Sequence, residues 1–257
     1  MADVPGTLEG WYALHSFHRI DWSRWLAVPQ SEQEAILAEA LTFFQREETA
    51  PISGEGASAL YQVIGHKADL MQIHLRPTLE DLLAVELAFN ELRIARFVIP
   101  TYSYFSVTEL SLYEAQARGG GGSEAELMAQ PFVQKRLKPP IPAEKNYVCF
   151  YPMNKRRGET VNWYAADYEE RRRLMREHAT TGRKYAEQIT QMITGSTGLD
   201  DWEWGVTLFG SDPLPIKKLV YEMRFDEVSA KYAEFGSFYV GRRVPVAELA
   251  GLFRSRA

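Results

Sequence analysis

The chain has 257 residues, a hydrophobic content of 46% and a net charge of −5, which is enough apolar material for one large domain or two small ones. No stretch approaches the roughly 18 consecutive apolar residues of a membrane span, and no secretion signal opens the chain, so we expect a cytoplasmic protein. The acidic balance argues against a nucleic-acid binder, and the single cysteine, Cys149, excludes a disulfide and a cysteine-cluster metal site.

The first half of the chain predicts a strand, a helix, a hairpin, a second helix and a closing strand. The first helix opens with a capping-box-like Ser-Glu-Gln-Glu at Ser31, and its apolar residues recur at helical spacing. Thr78 is a suitable cap for the second helix, which we expect to end before Pro100. The predicted elements span residues 8–20, 31–48, 60–64 with 70–75, 78–97 and 101–113.

Residues 119–122 are four glycines followed by Ser123, a composition typical of a mobile connection. We therefore predict an N-terminal module over 1–118, a flexible linker over 119–130 and a C-terminal module over 131–257. The second half repeats the order of the first, with a strand at 147–155, a long helix at 167–193, a strand at 202–209, a helix at 214–232 and a strand at 235–244. The fold class is thus α+β, with two tandem ferredoxin-like modules of the dimeric α/β barrel type. Many unrelated functions use this architecture, so the fold alone predicts none of them.

The long helix of the second half contains His178, the strongest candidate metal ligand. Leu174, Met175 and Gly182 lie on or beside its stripe, which predicts that His178 faces inward. A helical glycine costs about 1 kcal/mol relative to alanine, and it leaves room for a flat group close to the helix. One imidazole suits a haem iron better than a zinc site, yet a core histidine bonded to a carbonyl is the better interpretation from these residues alone. The basic residues around it, expected to face mostly water or acidic ligands, are Arg171, Arg172, Arg173, Arg176, Arg183 and Lys184.

The strand at 147–155 places Tyr151, Met153 and Lys155 on one face, so that a redox-active phenol lies two positions from an ammonium. Tyrosine can give up a hydrogen atom, and lysine can hold a carboxylate or manage a proton. An aromatic core strand with a basic, solvated end explains the same pattern and is favoured on pattern alone. Pro152 makes this strand irregular or places it at an edge.

Five segments of the second half together carry a family resemblance. They are Tyr151-Pro-Met-Asn-Lys-Arg-Arg, Asn162-Trp-Tyr, Glu177-His178-Ala-Thr-Thr-Gly182-Arg-Lys-Tyr185, Asp201-Trp-Glu-Trp-Gly-Val-Thr-Leu-Phe209 and Tyr221-Glu-Met-Arg-Phe-Asp-Glu-Val-Ser229. In these segments the chain resembles the coproheme decarboxylases of the chlorite-dismutase-like haem protein family. Several long segments that agree in order are more specific than any single motif.

The resemblance implies a homopentameric enzyme that uses hydrogen peroxide to decarboxylate two propionates of iron coproporphyrin III (coproheme) to vinyl groups, giving haem b. It implies that His178 is the axial iron ligand, that Tyr151 forms the radical that abstracts hydrogen from a propionate, and that Lys155 assists there. A transient contact with the preceding ferrochelatase is a further implied partner. The other positions that it assigns to coproheme binding are Arg136 and Ser229 at propionates, Gln191 on the distal side, and Pro152, Met153 and Asn154 along the strand.

Gln191 also separates activities within the family, because true chlorite dismutases carry an arginine at the matching distal position. A neutral amide stabilises a developing anion less strongly than a guanidinium does. Three alternatives stay open: a haem b-dependent peroxidase or chlorite dismutase, a non-enzymatic haem carrier or sensor, and a cofactor-free ferredoxin-like binding module. The first two would share the axial ligand His178.

Overall fold

The computed structural model describes residues 4, 6–54, 56–112, 115 and 123–254, with the backbone alone at 51–53. The first half has the order strand, helix, strand, strand, helix, strand, as predicted. Its elements are β1 (Thr7–Ile20), α1 (Trp22–Leu26), α2 (Gln30–Ser53), β2 (Ala57–Val63), β3 (Leu70–Arg76), α3 (Leu79–Glu91) and β4 (Val98–Ser111). The glycines at 119–122 and Tyr113 lie outside the described residues.

The second half repeats this order after two short helices. Its elements are α4 (Glu124–Met128), α5 (Pro131–Leu137), β5 (Tyr147–Lys155), α6 (Tyr168–Arg183), β6 (Ile189–Gly195), β7 (Trp204–Gly210), α7 (Pro213–Met223), α8 (Glu227–Tyr232), β8 (Ala233–Phe235), β9 (Tyr239–Arg243) and α9 (Leu249–Leu252). Helix α4 falls within the stretch predicted as a linker, and the Ser123 side chain caps it. The module boundaries themselves remain a prediction.

The strands form one antiparallel sheet that closes on itself. Their order is β7-β6-β4-β1-β3-β2-β9-β5-β8, and β5 also pairs with β7. Eight strands therefore make a barrel, in which β4 meets β6 and β2 meets β9 across the two modules. The helices cover its outside. This arrangement confirms the predicted α+β fold with two ferredoxin-like modules.

The barrel interior is a packed core rather than a ligand cavity. Phe17 from the first module and Phe150 from the second have ring centroids 5.6 Å apart, and both side chains are fully buried. Tyr104 and Phe209 belong to the same cluster, so the two modules share one core. A small barrel filled by side chains leaves no room for a bound molecule.

Among the described residues, no helix combines the length and apolar character that a membrane span needs.

The helix predicted over 167–193 was wrong at its C-terminal end. Helix α6 stops at Arg183, and Ile189–Gly195 forms β6, which pairs along its whole length with β7. The segment contains Ile189, Thr190 and Ile193, whose β-branched side chains fit a pleated sheet better than a helix. Gln191 consequently lies on a strand rather than on the His178 helix.

Three other predicted elements divide or shift in the structure. The helix at 214–232 is broken into α7 and α8, because the Asp226 side chain caps a new helix by accepting from the Ser229 N–H. The strand at 235–244 is likewise two strands, β8 and β9. The helix at 78–97 ends at Glu91 and continues as a 3₁₀ turn, and β4 already includes Pro100 at a register shift opposite His18.

Candidate functional site

A cavity of about 900 Å³ lies between α6 and β6, with the end of β4 and helix α5 at its sides. This volume falls within the range of about 300–1,000 Å³ that is typical of small-molecule and cofactor sites. Met175, His178 and Gly182 line it from the helix, and Ile189 and Gln191 line it from the strand. Three of the residues predicted for the site, His178, Gln191 and Arg136, thus line the same cavity from different sides.

Helix α6 is positioned by its first turn and by one buried anchor. Asp167 caps the helix by accepting from the Glu169 N–H, and Leu174 packs in a cluster with Trp163, Val228 and Tyr232. Because Leu174 packs against this cluster, helical spacing places Met175, His178 and Gly182 on the side of the helix that lines the cavity.

His178 is held by a buried carboxylate that the sequence did not reveal. Its Nδ1 lies 2.8 Å from Oδ2 of Asp226, whose side chain is only 4% exposed. Burial alone would raise the pKa of Asp226, but the hydrogen bonds from His178 and the Ser229 N–H hold that pKa below its ordinary value. The ionised carboxylate accepts the proton on Nδ1, which leaves Nε2 as the nitrogen that can bind a metal.

Gly182 allows the helix and the strand to approach each other closely. A Cβ atom at this position would lie 3.2 Å from Cε of Met223 and 3.5 Å from Nε2 of Gln191. The first distance is tight enough to require the methionine to shift. A larger residue would therefore crowd Met223 and Gln191, so the glycine serves the close packing of α6 on its neighbours. That it also leaves space for a flat group stays a prediction.

The cavity wall is strongly basic. Arg136, Arg171, Arg172, Arg176 and Arg183 line it, and no acidic side chain appears among its described lining residues. Four of the α6 arginines thus line the cavity, and Nη1 of Arg172 also lies 3.5 Å from Oε2 of Glu169. A wall of guanidinium groups favours a ligand with several carboxylates, since each group can form charge-assisted hydrogen bonds.

Two other basic residues of this region do point away from the cavity, as expected. Arg173 binds Glu170 and Glu227 with N–O distances of 2.7 Å, and Lys184 binds Glu222. Acidic partners on the outer surface thus neutralise the cations that lie outside the cavity wall.

Tyr151 lies behind the cavity wall rather than on it. Its ring is stacked on Phe238 with a centroid distance of 4.4 Å, and the residue is almost completely buried. The same apolar cluster contains Ile189 and Met223, which line the cavity, so Tyr151 belongs to the layer of side chains next to the cavity lining. Burial raises the pKa of Tyr151 well above its ordinary value, which keeps the phenol protonated.

Lys155 is also buried beside the cavity. Its Nζ lies 4.8 Å from the ring centroid of Trp163, which lines the cavity. Burial lowers the pKa of Lys155 to about 8, although Asp226 and Glu203 favour its charged form. This ammonium is therefore close to titration at neutral pH.

The remaining predicted residues lie off the wall, in the surrounding structure. Within β5, the Pro152 carbonyl accepts from the Gly236 N–H, Met153 packs beside the Tyr151 cluster, and the Asn154 side chain accepts from the Glu203 N–H. The Ser229 hydroxyl lies 3.5 Å from Nδ1 of His178, on the side where Asp226 binds the ring.

The available ligands fit a haem-type iron better than a zinc ion. No group of three or more His, Cys, Asp and Glu side chains that could hold a metal occurs in the described parts of the chain. A structural or catalytic zinc ion needs three or four such ligands, whereas a porphyrin iron can be held by one histidine. His178, with its carboxylate partner and the open space beside Gly182, meets that requirement.

Comparison with known proteins assigns the chain to a family. A family model named chlorite dismutase matches residues 33–244. The chain belongs to the chlorite dismutase family. A haem-binding protein from Thermus thermophilus is 43% identical over 98% of both chains, with a TM-score of 0.91. A chlorite dismutase variant from Candidatus Nitrospira defluvii is 21% identical over 96% of both chains with a TM-score of 0.74, which shows the shared fold alone.

Proposed function

We propose that this member of the chlorite dismutase family binds coproheme in the α6–β6 cavity and, with hydrogen peroxide, converts two of its propionates to vinyl groups, giving haem b. The observation that carries the proposal is the arginine-lined wall beside the His178–Asp226 pair. Coproheme bears twice as many propionates as haem b, and a wall with five arginines favours the more highly charged porphyrin.

Each residue of the site has a distinct task in this proposal. His178 holds the iron through Nε2, and Asp226 fixes the ring by accepting the proton of Nδ1. The cavity arginines hold propionates, and Gln191 supplies a neutral amide on the strand side of the cavity. The bound porphyrin iron supplies the redox chemistry with peroxide.

Tyr151 gives up a hydrogen atom in the proposed reaction. Its burial excludes water and keeps the phenol protonated, which a hydrogen-atom donor requires. The resulting tyrosyl radical removes hydrogen from the propionate carbon next to the ring. Loss of a second electron and of carbon dioxide then leaves the vinyl group, so each decarboxylation consumes one peroxide as the two-electron acceptor.

The proposal is tested by adding coproheme to the purified protein and titrating hydrogen peroxide while the pigment mass is followed. A decarboxylase gives two successive mass losses with release of carbon dioxide. The similarity to a haem-binding protein favours a haem carrier as the second candidate, and a carrier would bind the pigment without changing its mass. Oxygen release from chlorite would instead identify a chlorite dismutase.

Replacing Asp226 with Asn should weaken iron binding by about 10–100-fold, because a neutral amide accepts the Nδ1 proton more weakly than the carboxylate does and makes the imidazole a poorer donor to iron. The iron–histidine stretching frequency measured by resonance Raman spectroscopy should also fall, which a general loss of stability would not produce. Glu227→Gln is the matched control, since Glu227 is the neighbouring acid but binds Arg173 on the surface. An unchanged stretching frequency in Asp226→Asn would contradict this role.

Decarboxylation should slow as the pH rises through about 8, where Lys155 loses its proton. The rate should fall rather than rise with pH, because only the charged ammonium can hold a propionate. The ammonium form of Lys155 predominates below its pKa. Initial rates across the alkaline range measure the effect. Lys155→Arg, which stays charged, should retain activity to higher pH, and a wild-type profile without this decline would argue against the role.

A further inference from the structure

Two tryptophans close to the cavity have charged partners of opposite sign. Trp163 lines the cavity, and Nζ of Lys155 lies 4.8 Å from its ring centroid. Trp204 lies on β7, and its Nε1 donates to Oε1 of Glu109 on β4 at 3.0 Å. Tryptophan, like tyrosine, can lose one electron to an oxidised centre. Because an ammonium opposes this loss and a carboxylate assists it, the two indoles should differ in how readily they are oxidised.

The ammonium of Lys155 disfavours oxidation of Trp163. A cation is attracted by the face of a neutral aromatic ring, but it is repelled once the ring itself carries a positive charge. Both side chains are buried, so water screens this repulsion little. Trp163 is therefore a poor electron donor although it lines the cavity.

Glu109 is placed to accept the indole proton of Trp204. Loss of an electron makes an indole N–H strongly acidic, so a base that is already hydrogen-bonded to it favours the oxidation. Burial raises the pKa of Glu109, although Trp204 and Arg136 favour its ionised form, and a raised pKa makes the carboxylate a stronger base. A Cβ atom at Gly195 would lie 2.1 Å from Oε2 of Glu109, so the carboxylate rests directly on β6.

Trp204 lies between the cavity lining and the solvent. In the pairing of β6 with β7 it is opposite Gly195, which is two residues from Ile193. Residues two apart on a strand share a face and lie about 7 Å from each other, and Ile193 lines the cavity. Trp204 itself is only partly buried. The indole therefore has the cavity lining on one side and is accessible to small molecules on the other.

We propose that Trp204, with Glu109 as its proton acceptor, carries oxidising equivalents from a porphyrin in the α6–β6 cavity to an external phenol at the protein surface. The inference rests on the proposed binding of a haem-type iron, but it does not depend on decarboxylation. The route operates when Tyr151 has no propionate left to convert, as after haem b has formed. Excess peroxide is then reduced without damage to the pigment.

Electrons and protons balance over this cycle. Hydrogen peroxide removes two electrons from the bound pigment. Trp204 returns one electron while its Nε1 proton moves to Oε1 of Glu109, which leaves a neutral indole radical. A phenol reduces this radical by one electron and loses its own proton, and Glu109 gives its proton back to Nε1. Two such transfers convert two phenols to phenoxyl radicals and one hydrogen peroxide to two waters.

The test uses the protein loaded with haem b, so that decarboxylation plays no part in it. Hydrogen peroxide is added without a phenol, and peptide mass spectrometry locates the tryptophans that gain oxygen. Oxygen should be added at Trp204 rather than at Trp163. In Glu109→Gln, whose amide can accept a hydrogen bond but not the proton, oxidation of Trp204 and the rate of guaiacol oxidation should both fall at least about tenfold. Trp204→Phe should slow guaiacol oxidation equally.

Two further variants separate the effects of the two partners. Lys155→Met should make Trp163 gain oxygen, because the opposing charge is removed. Glu234→Gln, at an acid that binds Arg156 on the surface, should behave as the wild-type protein does. The Soret band and the thermal midpoint report whether each variant is loaded and folded.

The possible outcomes distinguish the inference from the proposed function. Oxygen at Trp163 in the wild-type protein, or wild-type oxidation of Trp204 and guaiacol in Glu109→Gln, would overturn the inference and leave decarboxylation untouched. Oxidation at Trp204 in a protein that leaves coproheme unchanged in mass would support the inference and contradict the proposed function. A protein that shows no Soret band with haem b would overturn both.

Discussion

Tyr151→Phe should bind coproheme almost as tightly as the wild-type protein but decarboxylate it at least about 10²-fold more slowly. The change removes one hydroxyl from a ring that stays packed on Phe238, so the cavity wall and the His178–Asp226 pair are left in place. Phenylalanine lacks the phenolic O–H group whose hydrogen atom tyrosine gives up in the proposed reaction. Pigment mass after peroxide addition measures the rate, and the Soret titration measures binding.

Tyr147→Phe is the matched control for this prediction. Tyr147 lies on the same face of β5, four residues from Tyr151, at the far end of the strand. Its loss of a hydroxyl should leave the rate of decarboxylation unchanged. Wild-type turnover in Tyr151→Phe would exclude this tyrosine from the mechanism. The proposed coproheme-binding site is tested separately, by the Soret titration.

His178→Ala should lose more than about 100-fold in affinity for coproheme, since removing a metal ligand costs more than removing the group that orients it. The variant also leaves the buried Asp226 carboxylate without one of its partners, which should lower the stability of the ligand-free protein by about 1–3 kcal/mol. Decarboxylation should be lost as well. Soret titration and thermal unfolding measure the two effects separately.

Iron-free coproporphyrin III provides the control for that experiment. It contacts the same arginines but cannot form a bond to His178, so wild-type protein and His178→Ala should bind it with similar affinity. Added imidazole should restore part of the iron spectrum in the variant. Replacing the exposed His66 with Ala should change the affinity for neither coproheme nor iron-free coproporphyrin III. Wild-type affinity of His178→Ala for coproheme would contradict the assignment of the axial ligand.

The sequence predicted the fold because the pattern repeats in both halves and most elements have clear local signals. The exception at Ile189–Gly195 shows the limit of such signals. Residues 184–188, which join it to α6, include no proline or glycine, and its pairing with β7 and β4 makes it a strand. The hydrophobic pattern of so short a segment does not separate a strand from the end of a helix.

The site was predictable only in part, for reasons that particular residues make clear. Helical spacing and Gly182 pointed to His178, but its partner Asp226 is 48 positions away and is brought close only by the packing of α8 against α6. The position of Asp226 as a helix-capping residue, three positions before Ser229, was the sole local signal for this aspartate in the sequence. The sequence did not show that four arginines of α6 line a cavity, because a side chain facing a polar cavity and one facing water give the same sequence pattern.

Decarboxylation of coproheme is tested most directly by peroxide titration of the coproheme-loaded wild-type protein, with the pigment mass followed by mass spectrometry. The proposed reaction gives two sequential mass losses, release of one carbon dioxide for each peroxide consumed, and haem b as the final product. Consumption of peroxide with coproheme unchanged in mass would contradict it and would favour a peroxidase that uses the bound porphyrin as a cofactor.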